Sequence, residues 1–266
     1  MKGASVGEGL GNKFLSHIKE TTAIIHVVRC YENKKIIHVN NFINPLEDIN
    51  IINTELLLSD IQQIKNILSK KNKKLYTKKE ITLFEKLYNH LNEGYPIRNF
   101  SNIKEYKNII QNLNLLTIKP VLYVANININ TDDKDINKIK DISIKQNANF
   151  LKIPISESES LLNDKVGILN NLIKETYKLL NLITFFSVGK KEIKAWSIKK
   201  GTSILDAAKK IHTDIKRGFI RAEVISYHDF IKYKGENGVK KMGKCKIEGK
   251  HYIVKDGDII NFRFNV

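Results

Sequence analysis

Cysteine, arginine and long apolar runs are scarce in this chain of 266 residues, and each scarcity removes a class of protein. The two cysteines, Cys30 and Cys245, lie far apart and match no C-x-x-C metal or redox spacing. Cys30 closes an apolar run and reads as a small core residue. No apolar stretch approaches the roughly 20 residues of a membrane helix, and no signal-peptide pattern opens the chain. A soluble, reducing, cytoplasmic setting without a membrane partner is therefore expected. Arginine supplies the bidentate and stacked contacts of specific nucleic-acid recognition, yet only Arg29, Arg98, Arg217, Arg221 and Arg263 occur among 45 basic residues. No DNA sequence specificity is expected from so few.

Lysine is what the chain has in abundance. The formal net charge of +17 points to a polyanionic partner such as RNA or a membrane surface. Heavy use of Lys, Asn and Ile together is also what a nucleotide-biased genome writes, so the location of the charge tells more than its total. Residues 55–119 carry 12 basic against 6 acidic side chains, and residues 183–266 carry 19 against 9. The basic character belongs to these two regions. The length allows two modest domains, each with its own core.

The first stretch, Gly3-Ala-Ser-Val-Gly-Glu-Gly-Leu-Gly-Asn12, holds Gly3, Gly7, Gly9 and Gly11. It reads either as a flexible tail or as a loop whose backbone N–H groups approach an anion or partner. Asn12 opens an amphipathic helix through Phe14, Leu15 and Ile18. The β-branched run Ala23–Arg29 predicts a buried parallel strand, with His26 inside it as a neighbour of the core. His38 follows a Tyr31–Lys35 loop and, on the residues alone, is a loop or packing residue. Asn44-Pro-Leu-Glu-Asp48 reads as loop punctuation, and Asn53-Thr-Glu55 as the start of a helix carrying Leu57, Ile61, Ile64 and Leu68. After the break at Lys70-Lys-Asn-Lys-Lys74, a second helix through Ile81, Phe84, Leu87, Tyr88 and Leu91 runs to Gly94-Tyr-Pro96. The two are expected to pair as an antiparallel hairpin, its lysine turn being either a solvated tip or an RNA contact. Lys119–Asn126 and Asn149–Pro154 predict two more buried strands. A helix over Leu169–Leu180, apolar at Leu169, Leu172, Ile173, Tyr177 and Leu180, closes this part.

Beyond Ile183, two alternating strands flank a turn. Gly201-Thr-Ser203 caps a helix through Ile204, Ala207, Ala208 and Ile211. His212 is expected to cap or pack at that helix end and, lacking spaced partners, not to bind metal. Tyr252–Asn265 reads as two final strands about an Asp256-Gly257 turn. Lys216, Arg217, Arg221, Lys240, Lys241, Lys244 and Lys246 form a basic set that is either a solvated face or a set of phosphate contacts.

The phrases K-G-A-S-x-G-E-G-L-G-N-x-F-L, I-x-E-T and H-V-V-R-C resemble the switch II segment of the YchF/Obg-like ATPases, a branch of the P-loop GTPase class. The resemblance becomes close again from Ile183 to Val266, where Ile211-His-Thr-Asp-Ile-Lys-Arg-Gly-Phe-Ile-Arg-Ala-Glu-Val224 is similar to the family's TGS module, a β-grasp fold. It implies an α/β chain: the remnant of a doubly wound GTPase-type sheet over residues 1–182, with a helical arm inserted at about 54–118, and a TGS domain over 183–266. By resemblance Gly3, Gly7, Gly9 and Gly11 belong to switch II. His38 matches the hydrophobic-flanked histidine of the hydrolytic step, placed to orient an attacking water. Asn126, Ile127 and Ser156 match the base-binding loops. The family implies ATP over GTP, with Mg²⁺, and a monomer bound to the ribosome and its RNA in the cytoplasm.

The departures matter as much. The family's N-x-x-E reads Asn126-Ile-Asn-Ile129 here, so the acidic residue that reads the base is gone. Glu157 replaces a small residue of the last base loop, and the acidic stretch after it shrinks to Glu159–Asp164. No G-x-x-x-x-G-K-[ST] occurs in the sequence, and the Asp of D-x-x-G that holds the metal is absent. Met1 stands where the family's chain is already under way. The expectation is an N-terminally truncated member that holds no Mg²⁺, hydrolyses no ATP alone and exposes the apolar edge of its first strand. Two other readings stay open: part of a catalytic protein whose upstream residues lie outside this sequence, or a stand-alone RNA- or ribosome-binding adaptor with no nucleotide role.

Overall fold

The computed structural model describes residues 10–33, 36, 38, 42–128, 131–154, 162–188 and 192–265, with backbone alone at 10–12 and 162–165. It divides into two compact units, residues 1–179 and 180–266.

The first unit is built on three parallel strands in the order β1-β2-β3: β1 (Ile24–Arg29), β2 (Val121–Asn126) and β3 (Asn149–Ile153). Val121–Ala125 are fully buried, as an apolar strand covered on both faces must be. One face packs Tyr123 and Ala125 with Val28, with Ile49 of α2 (Pro45–Leu68) and with Ile139 of α5 (Asp133–Lys145). The other packs Leu122, Val124 and Ile153 against Ile168, Leu172 and Leu179 of α6 (Leu162–Leu179). Leu169 and Ile173, expected on that inner face, are exposed. The buried stripe runs through 168, 172 and 179, about 100° away around the helix from the predicted one.

α1 (Leu10–Glu20) precedes β1 and buries Leu15 against Leu56 and Leu116. Gly11 lies in its first turn rather than in the glycine loop. α2 begins nine residues before the expected start. Asn44 caps it by accepting from the Glu47 N–H at 3.3 Å, Pro45 takes the first helical position, and Glu47 and Asp48 supply the acidic first turn. Asn53 is no cap: within the helix, its amide donates to the Tyr123 hydroxyl at 2.9 Å and Gln146 Oε1 at 3.2 Å. α3 (Lys78–Asn92), opened by a Thr77–Glu80 capping box, pairs with α2 through Ile64, Leu83, Phe84, Leu87 and Leu91. Gly94, at φ +87°, ends that turn, and the short α4 (Lys107–Asn112) closes the arm.

One buried carboxylate ties this arm to the sheet. Asp60 of α2 is fully buried and accepts from the N–H groups of Leu116 and Thr117 at 2.8 Å each and from the Thr117 hydroxyl at 2.7 Å. Burial pushes its pKa up while those three donors oppose the shift.

The second unit is a five-stranded sheet in the order β5-β4-β8-β6-β7: β4 (Leu182–Val188), β5 (Ile193–Lys199), β6 (Phe219–Ser226), β7 (Lys246–Glu248) and β8 (Asp258–Phe264). β4 and β8 run parallel, the other pairs antiparallel. α7 (Ile204–Ile211), capped by Ser203, buries Ile204 and Ala207 against Phe185, Ile198, Val224 and Ile260, which is β-grasp architecture. His212 ends α7 and its Nδ1 accepts from the Asp214 N–H at 3.2 Å, starting α8 (Thr213–Arg217). Two further short helices, α9 (Tyr227–Lys232) and α10 (Glu236–Lys241), separate β6 from β7. Around the Asp256-Gly257 turn only β8 is a strand; the segment before it makes a single bridge, Ser203 to Ile253. β8 pairs with one side of β6, and the strand on the other side is β7, formed earlier in the chain.

Replacing Asp60 with Ala leaves two buried N–H groups without acceptors, and the first unit is expected to lose about 2–3 kcal/mol. Urea unfolding followed by the NMR signal of Tyr123 checks this. Trp196, the only tryptophan, lies in the second unit, and its fluorescence midpoint should stay put.

Candidate functional site

Parallel pairing sets the carboxyl ends of the strands side by side, with Arg29 opposite Asn126 and Asn126 opposite Ile153. This edge is where open α/β sheets take their ligands. The pairing extends a residue further: the Cys30 N–H donates to Asn126 O at 2.8 Å, and the Ile127 N–H to Ile153 O at 3.0 Å. Ile127 therefore has its N–H committed within the sheet. The side-chain Oδ1 of Asn126 is buried and meets no hydrogen-bond donor among the described residues, an orphaned acceptor at the point where a base loop would close. Gly3, Gly7, Gly9, Ile129, Ser156 and Glu157 lie outside the described residues.

At the same end, His38 Nε2 lies 3.1 Å from Asp48 Oδ2 in the first turn of α2. Arg29, the last residue of β1, spreads its guanidinium over the intervening loop. Nε donates to Tyr31 O at 3.0 Å, Nη1 to Ile36 O at 3.1 Å and Nη2 to Asn33 O at 3.1 Å, with the cation 5.1 Å from the Tyr31 ring. His38, Asp48, Arg29 and His26 line a groove of about 450 Å³ along β1, whose walls are otherwise apolar, among them Phe14, Ile18, Ile51 and Ile52. Among the described residues no strand pairs with the outer edge of β1, and Ile25 and Val27 are 41% and 52% exposed. That is the open apolar edge expected from the sequence.

His26 sits against the Tyr123 ring, centroids 5.4 Å apart, and burial drives its pKa down to about 4, partly opposed by Asp48. Burial likewise pushes the Cys30 thiol up to about 12, an inert core group. Among the described residues no group of three or more His, Cys, Asp or Glu is placed to ligate a metal ion.

The basic candidates of the second unit differ in their commitments. Lys216 pairs with Asp206 at 2.8 Å, Arg217 with Asp214 at 3.4 Å, and Lys240 with Glu236 at 2.7 Å and Glu223 at 3.2 Å. Arg221, Lys241, Lys244 and Lys246 are exposed and form no ion pair among the described residues. Arg263 is held by Glu223 at 2.8 and 3.0 Å, and Arg98 by Gln146 O at 2.7 Å and Gln146 Oε1 at 2.8 Å. Sequence reasoning missed Arg29 and Asp48. The signals available for them were an arginine closing a strand just before a Tyr-Glu-Asn turn, and an Asp in a Pro-led helix start.

A parallel sheet whose candidate site residues gather at its carboxyl end, followed by a β-grasp unit, defines an Obg-like GTPase fold with a TGS-like C-terminal domain. The family model YchF-GTPase_C, described as "Protein of unknown function (DUF933)", matches residues 182–265. The chain is 43% identical over 289 residues to "Ribosome-binding ATPase YchF" of Buchnera aphidicola subsp. Acyrthosiphon pisum, covering 100% of this chain and 79% of that relative. It is 42% identical over 288 residues to the protein of the same name in Escherichia coli O157:H7, with the same coverage. The solved Schizosaccharomyces pombe YchF GTPase superposes with a TM-score of 0.81 at 32% identity, over 99% of this chain and 78% of that one. A GTP binding protein from Pyrococcus horikoshii OT3 shares the fold alone, with a TM-score of 0.57 at 18% identity. The chain belongs to the YchF family. No helix among the described residues is long and apolar enough to cross a membrane.

The depressed pKa of His26 has a consequence for stability. The unfolded chain takes up a proton near pH 6.5 and the folded one only near 4, so stability rises with pH across that window. Acidification from pH 7 to 4 is expected to remove about 3 kcal/mol from the first unit. The His26→Phe variant should flatten that dependence in urea titrations read at Tyr123, and an unaltered slope would contradict the assignment.

Proposed function

We propose that this chain is a ribosome-contacting member of the YchF family that carries the base side of a nucleotide site but, within its 266 residues, no means of gripping a triphosphate. The carrying observation is that Asn126, whose buried Oδ1 meets no donor among the described residues, ends the central strand in a sequence where no G-x-x-x-x-G-K-[ST] occurs. Backbone N–H groups and a lysine from such a loop cradle the phosphates, and its Ser or Thr helps hold Mg²⁺. Asn126, Ile127 and Ser156 are the base-side residues of this reading, and His38 the residue that orients an attacking water when phosphates are present. Gly3, Gly7, Gly9 and Gly11 belong to the switch segment. Hydrolysis of ATP by these residues alone is not expected.

Contact with the ribosome fits the names of the relatives and the distribution of lysine. At the tip of the arm Lys70, Lys71 and Lys74 are exposed, while Lys73 is held by Glu85 at 2.8 Å. In the second unit Arg221, Lys241, Lys244 and Lys246 are exposed and form no ion pair among the described residues. Four of the five arginines, Arg29, Arg98, Arg217 and Arg263, have partners within the protein. The remaining charge is mostly lysine, suited to phosphate contacts without base specificity. A second reading, an RNA- or ribosome-binding adaptor with no nucleotide role, is favoured by these same lysines, which act without any nucleotide.

Co-sedimentation with ribosomes across a salt series tests the proposal. Binding should fall steeply with salt. Replacing Lys70, Lys71 and Lys74 with Ala should weaken it at least fivefold and lower the salt slope by about 2. Binding that responds to ATP would contradict the lack of a triphosphate grip. Binding indifferent to both salt and the lysines would contradict ribosome contact through either surface.

A further inference from the structure

We infer that Arg29 and Asp48 are positioning residues that together fix the loop and the ring of His38, Arg29 through the backbone and Asp48 through the imidazole. The inference rests on the reading of His38 as the residue that orients water. His38 is carried on a connection between the end of β1 and the start of α2, neither of which by itself dictates where an imidazole sits. Two contacts do. The first is the Arg29 fork, whose three nitrogens each meet a different carbonyl, those of Tyr31, Asn33 and Ile36, at 3.0–3.1 Å. A planar guanidinium satisfies three carbonyls in this way only when they converge on its plane, so the bonds fix the backbone at Tyr31, Asn33 and Ile36 relative to the end of β1. The Ile36 N–H closes the same turn onto Asn33 O at 3.1 Å. Lysine, with its single nitrogen, cannot reproduce the fork.

The second contact is His38 Nε2 to Asp48 Oδ2 at 3.1 Å, between side chains 17% and 24% exposed. An ionised carboxylate only accepts, so Nε2 carries the proton and Nδ1 is the acceptor nitrogen of the neutral ring. The carboxylate is itself fixed, because Asp48 lies in the first turn of α2, its N–H donating to Asn44 O at 3.0 Å. A base held by a third group in this manner is the arrangement by which imidazoles are oriented elsewhere in catalysis.

The test is NMR on the ¹⁵N-labelled 266-residue chain, with the His38 ring assigned by its loss in His38→Gln. The wild type should show a His38 Nε2–H proton protected from exchange with water. Asp48→Ala should abolish it, and Asp48→Asn, whose Oδ1 still accepts, should restore at least half of it. Arg29→Lys should speed exchange of the Ile36 amide at least tenfold, while Tyr123 and Val124 keep wild-type rates and so report an intact sheet. If Asp48→Ala fails to fold, the Asp48→Asn and Arg29→Lys spectra decide alone. No protected ring proton in the wild type, or unchanged Ile36 exchange in Arg29→Lys, overturns the inference. These readouts do not depend on hydrolysis. ATP turnover that survives replacement of the matching histidine in a relative carrying the phosphate loop would instead refute the water-orienting reading and leave the positioning intact.

Discussion

The first unit depends on the in-register parallel pairing of β2 with both its neighbours. β2 is buried along its length because α5 and the start of α2 cover one face and α6 the other. Its register places Arg29, Asn126 and Ile153 in one row. Everything at the candidate site follows from that row: the orphaned Asn126 acceptor, the loop that Arg29 gathers, and the groove beside β1. Asp60 makes the dependence mutual, because it anchors the helical arm to the backbone at the entry to β2. A shift of one residue in the pairing would move every β2 side chain to the opposite face of the sheet.

Much of this was legible in the sequence because continuous β-branched runs have few alternatives inside an α/β protein. β1 and β2 are of that kind, while the β-grasp helix was marked by its Ser203 cap. Helix boundaries were less legible. Asn53-Thr-Glu55 has the composition of a cap, yet Asn53 is drawn inward by Tyr123 and Gln146, partners 70 and 93 residues away. The true start at Asn44-Pro45 resembles a loop because the same residues serve turns and helix entry. In α6, Ile168 and Leu169 are equally apolar, and only the position of the sheet decides that 168 packs inward. Resemblance singled out His38 and Asn126 as candidates. Arg29 and Asp48 were hidden, since their roles arise from contacts that a one-dimensional pattern does not encode.

The charge follows a similar logic. A net +17 suggests an undifferentiated polycation, but the structure sorts it. Arginines are mostly spent on internal geometry: a loop at Arg29, a buried polar network at Arg98, a cross-strand pair at Arg263. Exposed lysines are left at the arm tip and beyond α9 in the second unit. Lysine at these places gives attraction to phosphate that is long-ranged and sensitive to salt, with little geometric selectivity. The division matches a protein that needs to find a large polyanionic surface rather than to read a sequence.

The account turns on a base end of a nucleotide site separated from a phosphate grip. Isothermal titration calorimetry of Mg²⁺-ATP into the purified 266-residue chain tests this most directly. The account predicts no saturable heat at ATP concentrations up to about 1 mM, corresponding to binding weaker than about 4 kcal/mol. A micromolar dissociation constant would require a phosphate site within these residues, and would contradict it.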